Sequence, residues 1–176
     1  MVKRYFLIAL ILGISSNVTG SIDWSSPSTC NIEDSKNLDE IINQMTLRQK
    51  IGQIIMPDIQ YVTPEEAKKY QLGSILNGGG SWPNNKKTST VQDWQNLSKA
   101  YYDASPVIGD QIVPIIWGTD AVHGHSNVIG ATVFPHNIGI GATQDTDLIK
   151  RIAGVVAKEV LSTGIVWTFA PTITVP

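Results

Sequence analysis

Two periods alternate along the chain. Leu38, Ile41, Ile42 and Met45 fall at helical spacing and form one apolar stripe. Thr46 followed by Gln49 has the capping-box spacing and predicts a fresh helical start bearing Leu47, Ile51, Ile54 and Ile55, ended by Pro57. Thr63-Pro64-Glu65-Glu66 predicts a short helix running to Leu72-Gly73: the threonine can cap, proline fits the first helical position, and the glutamates suit the positive helix end. Ser74-Ile75-Leu76 then reads as a brief strand entering Asn77-Gly78-Gly79-Gly80. Ser89 and Gln92 have capping-box spacing ahead of Val91, Trp94, Leu97 and Tyr101, an amphipathic helix ending near Ser105-Pro106. Ile112 to Trp117 is an apolar run broken by Pro114 and reads as a strand. After the glycine-rich stretch Asn137 to Thr143, Asp145 can cap a long helix with Ile149, Ile152, Ala153, Val156, Ala157 and Val160 inward and Gly164 at its C′ position. Ile165 to Val175 reads as another buried strand.

Helix, strand, helix, strand, helix, strand is the order of an α/β protein built from parallel βαβ units with right-handed crossovers. The central feature is the passage from Ile112–Trp117 into Gly118, Thr119, Asp120, His123, Gly124 and His125. A buried strand that gives way at once to glycine and ionisable groups delivers those groups at its carboxyl end, where open α/β sheets and (β/α)8 barrels alike bind ligands. The strands number about half of what a (β/α)8 barrel needs, and such a barrel takes ~250 residues. The chain stops at Pro176 directly after a strand and reads as a fragment.

The amino terminus adds a destination. MVKRYFLIALILGISSNVTG has a basic start at Lys3 and Arg4, an apolar run from Tyr5 to Ile14 that is short for a bilayer span, and small residues up to Gly20. Residues 1–20 are therefore read as a signal peptide of a secreted or lumenal protein, with no membrane attachment after cleavage. The polar segment 21–36, with Pro27, is read as an exposed lead-in, and 37–176 as the folded part. Cys30 is the only cysteine, so no internal disulfide forms. Asn96-Leu97-Ser98 fits the N-glycosylation pattern inside a predicted helix. The composition is globular, at 42% hydrophobic residues, and 13 basic against 15 acidic residues without a basic cluster argue against nucleic acid as a partner.

Asp120 is the most pointed site candidate. A carboxylate with both oxygens free can accept hydrogen bonds from two neighbouring sugar hydroxyls; alternatively it caps a turn or pairs with a basic residue. His123, His125 and His136 open a second reading, in which the His123/His125 pair begins a metal-dependent hydrolase site; the alternative is polar loop histidines bonded to backbone carbonyls. The three glycines at 78–80 permit positive φ and close backbone approach, but they match no phosphate-binding pattern, and a flexible strand-end turn is the plainer reading. Trp82, Trp94, Trp117 and Trp167 are aromatic faces on which a sugar could stack, although the positions of Trp94 and Trp117 favour core packing. No GxSxG pattern is present.

From Leu38 onward the sequence resembles glycoside hydrolase family 3, the β-glucosidase and exo-β-glucanase group. The resemblance is carried by LDEIINQMTLRQKIGQ, LGSILNGGGS, VPIIWGTDAVHGHSNVIGATVFPHNIGIGAT and EVLSTGIVWTFAPTITV. It implies that 37–176 is the truncated N-terminal part of a (β/α)8 TIM-type barrel, followed in the family by the rest of the barrel and a second α/β domain. It implies retaining hydrolysis of terminal non-reducing β-D-glucosyl residues from β-glucosides or β-glucan oligosaccharides, with no cofactor and no metal. Asp120 matches the family aspartate that grips the hydroxyls of the terminal glucose, and the histidines of that block are structural. The nucleophile and acid/base are expected beyond Pro176, so the chain holds no catalytic residue of its own and is expected to be inactive alone, or to be a non-catalytic sugar-binding fragment.

Overall fold

The computed structural model describes residues 32–172; the signal sequence, Cys30, most of the lead-in and the last four residues lie outside them. Two compact units divide at Leu38/Asp39. Of the first unit, only the opening of helix α1 (Ile32–Gln44) lies within the described residues. That helix begins before Leu38, so part of the segment read as a lead-in is helical.

Within Asp39–Pro176 the elements follow the expected alternation. Helices α2 (Leu47–Gln53) and α3 (Pro64–Tyr70) precede strand β1 (Ser74–Asn77); α4 (Val91–Asp103) precedes a small hairpin, β2 (Val107–Ile108) and β3 (Gln111–Ile112), and then β4 (Ile116–Thr119). Helix α5 (Asn137–Ala142) and the long α6 (Thr146–Ser162) precede β5 (Trp167–Thr168). The sheet runs β1-β4-β5 and is parallel throughout. Residues 57–59 lie along the far side of β1: Asp58 bridges Leu76 in parallel, the Leu76 N–H donates to the Pro57 carbonyl at 3.0 Å and the Ile59 N–H to the Leu76 carbonyl at 2.9 Å.

Local chemistry explains most helix ends. Thr46 and Thr63 both close full capping boxes, with Gln49 and Glu66 respectively. The box expected at Ser89/Gln92 lies one residue later: Thr90 caps α4 and Asp93 returns the bond. Ser89 is instead buried, its hydroxyl within 2.9 Å of the Pro83 carbonyl and 2.7 Å of the Lys86 carbonyl. Asp145 caps α6, and Gly164 follows that helix at φ +81°, the left-handed conformation that favours glycine.

The strand expected over Ile112–Trp117 is also displaced. Pro114 has no N–H to give a ladder, the residues before it fold into the β2–β3 hairpin, and pairing begins at Ile116. Of the last predicted strand only Trp167–Thr168 pairs, and 173–176 lie outside the described residues.

The core lies between one face of the sheet and helices α4 and α6. Ile75 and Trp117 pair in register across β1 and β4, and pack with Trp94 and Tyr101 of α4 and Val156 and Val160 of α6. Trp94 and Trp117 are thus core aromatics, their ring centroids 5.9 Å apart. The Tyr101 ring meets Trp117 edge-on, and its hydroxyl donates to the Val62 carbonyl at 2.6 Å. Two expected stripes are narrower than their periodicity. On α6, Val156 and Val160 are buried, but Ile149, Ala153 and Ala157 are exposed. On α1, on α2 and in the two residues after α2, Leu38, Ile42, Leu47, Ile51, Ile54 and Ile55 are all exposed. The reason on α2 is Gly52: it sets the contact face, lying so close to the backbone carbonyls of Tyr70 and Gln71 that a Cβ would collide with them.

Candidate functional site

Strand alternation sorts the sheet into two faces. Ile75, Asn77, Trp117 and Thr119 are buried beneath the helices. Ser74, Leu76, Ile116 and Gly118 therefore share the opposite face, where Ile116 is 43% exposed. Trp167 stands opposite Gly118 in the register, and the Trp167 and Phe169 rings meet edge to face 4.9 Å apart. A Cβ on Gly118 would collide with the Phe169 ring, so glycine is required there by space.

Asp120 follows β4 directly, at the carboxyl end of the central strand of the parallel sheet. Continuing the alternation places it on the face of Ile116 and Gly118. It is exposed, and no described residue gives it a hydrogen bond or an ion pair. Among the described residues it caps no turn and neutralises no base, so its carboxylate can accept from a ligand.

The histidines of the same loop are engaged separately. His123 lies with Nδ1 2.8 Å from the Phe134 carbonyl, a contact that requires Nδ1 to carry the proton. Its ring lies 4.2 Å from that of His136, centroid to centroid. His125 is buried against Trp94, with Nε2 3.0 Å from the Thr163 hydroxyl oxygen. Thr163 gives its own proton to the Val160 carbonyl at 2.6 Å, so its oxygen accepts and His125 carries its proton on Nε2. Burial lowers the His125 pKa to about 4, only partly opposed by the Glu159 charge, which keeps the ring neutral. Within the described residues His123 and His125 thus hold different partners, Phe134 and Thr163. Among the described residues no group of three or more His, Cys, Asp or Glu side chains is gathered as a metal site.

The remaining candidates take these positions. Trp82 is partly buried against the core, while Trp167 is 42% exposed on the open face of the sheet. Asn96 is exposed on α4, its Oδ1 accepting from Gln92 Nε2 at 2.9 Å, and Ser98 of the same triplet donates to the Gly164 carbonyl at 2.8 Å. No described helix is long and apolar enough to cross a membrane.

Sequence reading misses Asp58. Asn77 pairs with Thr119 at the end of the register, and Gly78 and Asp120 are the residues that follow this pair; Asp58 holds Gly78, its Oδ2 accepting the Gly78 N–H at 2.8 Å. A signal does exist: Ile54-Ile55-Met56-Pro57-Asp58 is an apolar run ending in an acid, the same pattern that points to Asp120.

Residues 46–176 match the profile of the Glycosyl hydrolase family 3 N terminal domain. A lysosomal beta glucosidase of Dictyostelium discoideum is 31% identical over 150 residues, covering 76% of this chain and 18% of the relative. A periplasmic beta-glucosidase of Salmonella typhimurium is 25% identical over 173 residues, covering 96% of this chain and 20% of the relative. The crystal structure of an exo-1,3/1,4-beta-glucanase from a Pseudoalteromonas species superposes with a TM-score of 0.76 at 46% identity, over 82% of this chain and 18% of that one. The chain therefore spans about a fifth of the length of the relatives it matches. Its parallel strands and covering helices are part of the barrel-type fold of that domain, and the chain belongs to glycosyl hydrolase family 3.

Proposed function

We propose that this chain supplies the glucose-gripping part of a secreted, retaining β-glucosidase or exo-β-glucanase, and that Asp120 is the residue that grips. The observation that carries the reading is the free, exposed carboxylate of Asp120 at the carboxyl end of the central parallel strand. An ionised carboxylate offers acceptors on two oxygens, which matches a pair of adjacent hydroxyls on a terminal non-reducing glucose. Bonds that tighten as the ring distorts toward an oxocarbenium ion lower the barrier rather than merely raising affinity.

Retaining hydrolysis also needs a nucleophilic carboxylate and an acid/base. Both are proposed to come from parts of the whole protein outside these 176 residues, since the relatives are about five times longer. Secretion through residues 1–20, an extracellular or lysosomal destination and glycan attachment at Asn96 belong to the same proposal. The lysosomal and periplasmic relatives support export.

The test is hydrolysis of an aryl β-glucoside by the whole protein, with the anomer of the first product read by NMR. Release of β-glucose supports the reading; release of α-glucose, or no turnover, refutes it. The 176-residue chain assayed alone should give no turnover above buffer.

A further inference from the structure

The turn after β1 is held tightly, though no contact among the described residues calls for its glycines. Asp58 accepts the Gly78 N–H at 2.8 Å and the Gln60 N–H at 2.8 Å, and both its oxygens lie within 2.8 Å of the Ser81 hydroxyl. From the other side, Asn127 Nδ2 donates to the Gly78 carbonyl at 2.7 Å. Gln60 Nε2 closes the far end by donating to the Gly80 carbonyl at 3.1 Å. The turn is clamped at both ends and is not a loose strand end.

Three glycines in such a turn would ordinarily answer a need for positive φ or for space. Neither need exists here. Gly78, Gly79 and Gly80 are absent from the positive-φ residues. A Cβ on Gly79 or Gly80 would meet nothing within 4 Å, and one on Gly78 would make only ordinary contact with Asp58. The N–H groups of Gly79 and Gly80 make no hydrogen bond within the described residues. What remains is a bare, fixed backbone with two donors unused by the described residues, beginning one residue after Asn77, whose register partner Thr119 directly precedes Asp120.

We propose that this turn is the second wall of the sugar site and that Asp58 is its positioning residue. Asp58 does not touch the sugar, because its own acceptors are occupied by the turn. It holds the glycine backbone at a fixed distance from Asp120, so that a β-glucosyl unit lies between a carboxylate that accepts from its hydroxyls and N–H groups that donate to them. Bare glycines let the ring come close, and the clamp removes the ordering cost that a loose turn would add to binding. The inference rests on the reading of Asp120 given above.

The test is the Kd for D-glucose in the full-length protein, titrated well below each variant's own Tm so that unfolding does not contribute. Asp58→Asn places an amide nitrogen against donors and should weaken glucose binding about 10-fold. Gly79→Val leaves Asp58 and its partners untouched; it should keep the wild-type Tm while weakening glucose binding by a similar factor. Asp120→Asn is the control for the underlying reading. If Asp120→Asn abolishes binding while Gly79→Val and Asp58→Asn stay within about twofold of wild type, the turn is no part of the site and the inference falls alone. If Asp120→Asn also binds normally, both fall. Should Asp58→Asn fail to fold, Gly79→Val decides: normal affinity overturns the inference, and lowered affinity at unchanged Tm supports it.

Discussion

Asn127 Nδ2 donates to the carbonyl oxygen of Gly78 at 2.7 Å, across 49 residues of sequence. The bond ties the loop that leaves Asp120 to the turn that leaves β1, so the two carboxyl-end segments cannot drift independently. Asn127→Ala should leave the partly buried Gly78 carbonyl with only the longer 3.2 Å bond from the Ser81 N–H and cost about 1 kcal/mol in urea-induced unfolding. Asn127→Asp should be no better, because it sets a carboxylate against a carbonyl.

The caps give a sharper test of local structure. Thr90, not Ser89, accepts from the Asp93 N–H. Thr90→Ala should lower stability by about 1 kcal/mol through the helix end. Asp93→Ala should lose part of the same energy, since it returns the bond to Thr90, whereas Gln92→Ala should do little. A larger loss for Gln92→Ala would restore the cap to Ser89.

Gly164 is required twice over. It sits at φ +81°, and a Cβ there would come within 2.6 Å of the Ser98 hydroxyl oxygen. Gly164→Ala should cost about 1–3 kcal/mol and lower the Tm by several degrees. A neutral result would mean that this helix end is not left-handed.

His125 makes stability depend on pH. Its folded pKa is lowered to about 4 from an ordinary 6.5, with burial as the main cause. The native state therefore holds the neutral ring while the unfolded chain still takes up a proton below about pH 6.5. The stabilisation is complete above about pH 6.5 and is lost as pH falls toward about 4, amounting to about 3 kcal/mol at most. Urea unfolding followed from about pH 7.5 down to about pH 4 should show this slope. His125→Gln should remove most of it, and an unchanged slope would assign it to other groups.

Much of this architecture is legible in the sequence, and the failures have identifiable physical sources. Thr46, Thr63, Asp145 and Gly164 announce their helix ends because capping depends on residues only a few positions apart. Ser89 misleads because Ser89, Thr90, Gln92 and Asp93 offer two overlapping boxes, and burial of the serine hydroxyl chooses between them. Pro114 marks the break in the apolar run, yet periodicity cannot show that pairing starts only at Ile116. Ile51 of α2 and Ile54 and Ile55 just after it read as core, but the close approach at Gly52 is a tertiary fact that no stripe reveals. Asp120 is visible because its signal is local, an acid directly after a strand. Asp58 shows the same local pattern, but its role depends on Gly78 and Ser81, which come back to it only once β1 has paired.

The most direct test of the sugar-binding role is kcat/KM for an aryl β-glucoside in the full-length protein carrying Asp120→Asn. The side chain is exposed and bonds to no described residue, so the Tm should not move. The specificity constant should fall by about 100-fold or more, a loss of about 3 kcal/mol of transition-state stabilisation. A value within about twofold of wild type would remove Asp120 from the sugar site altogether.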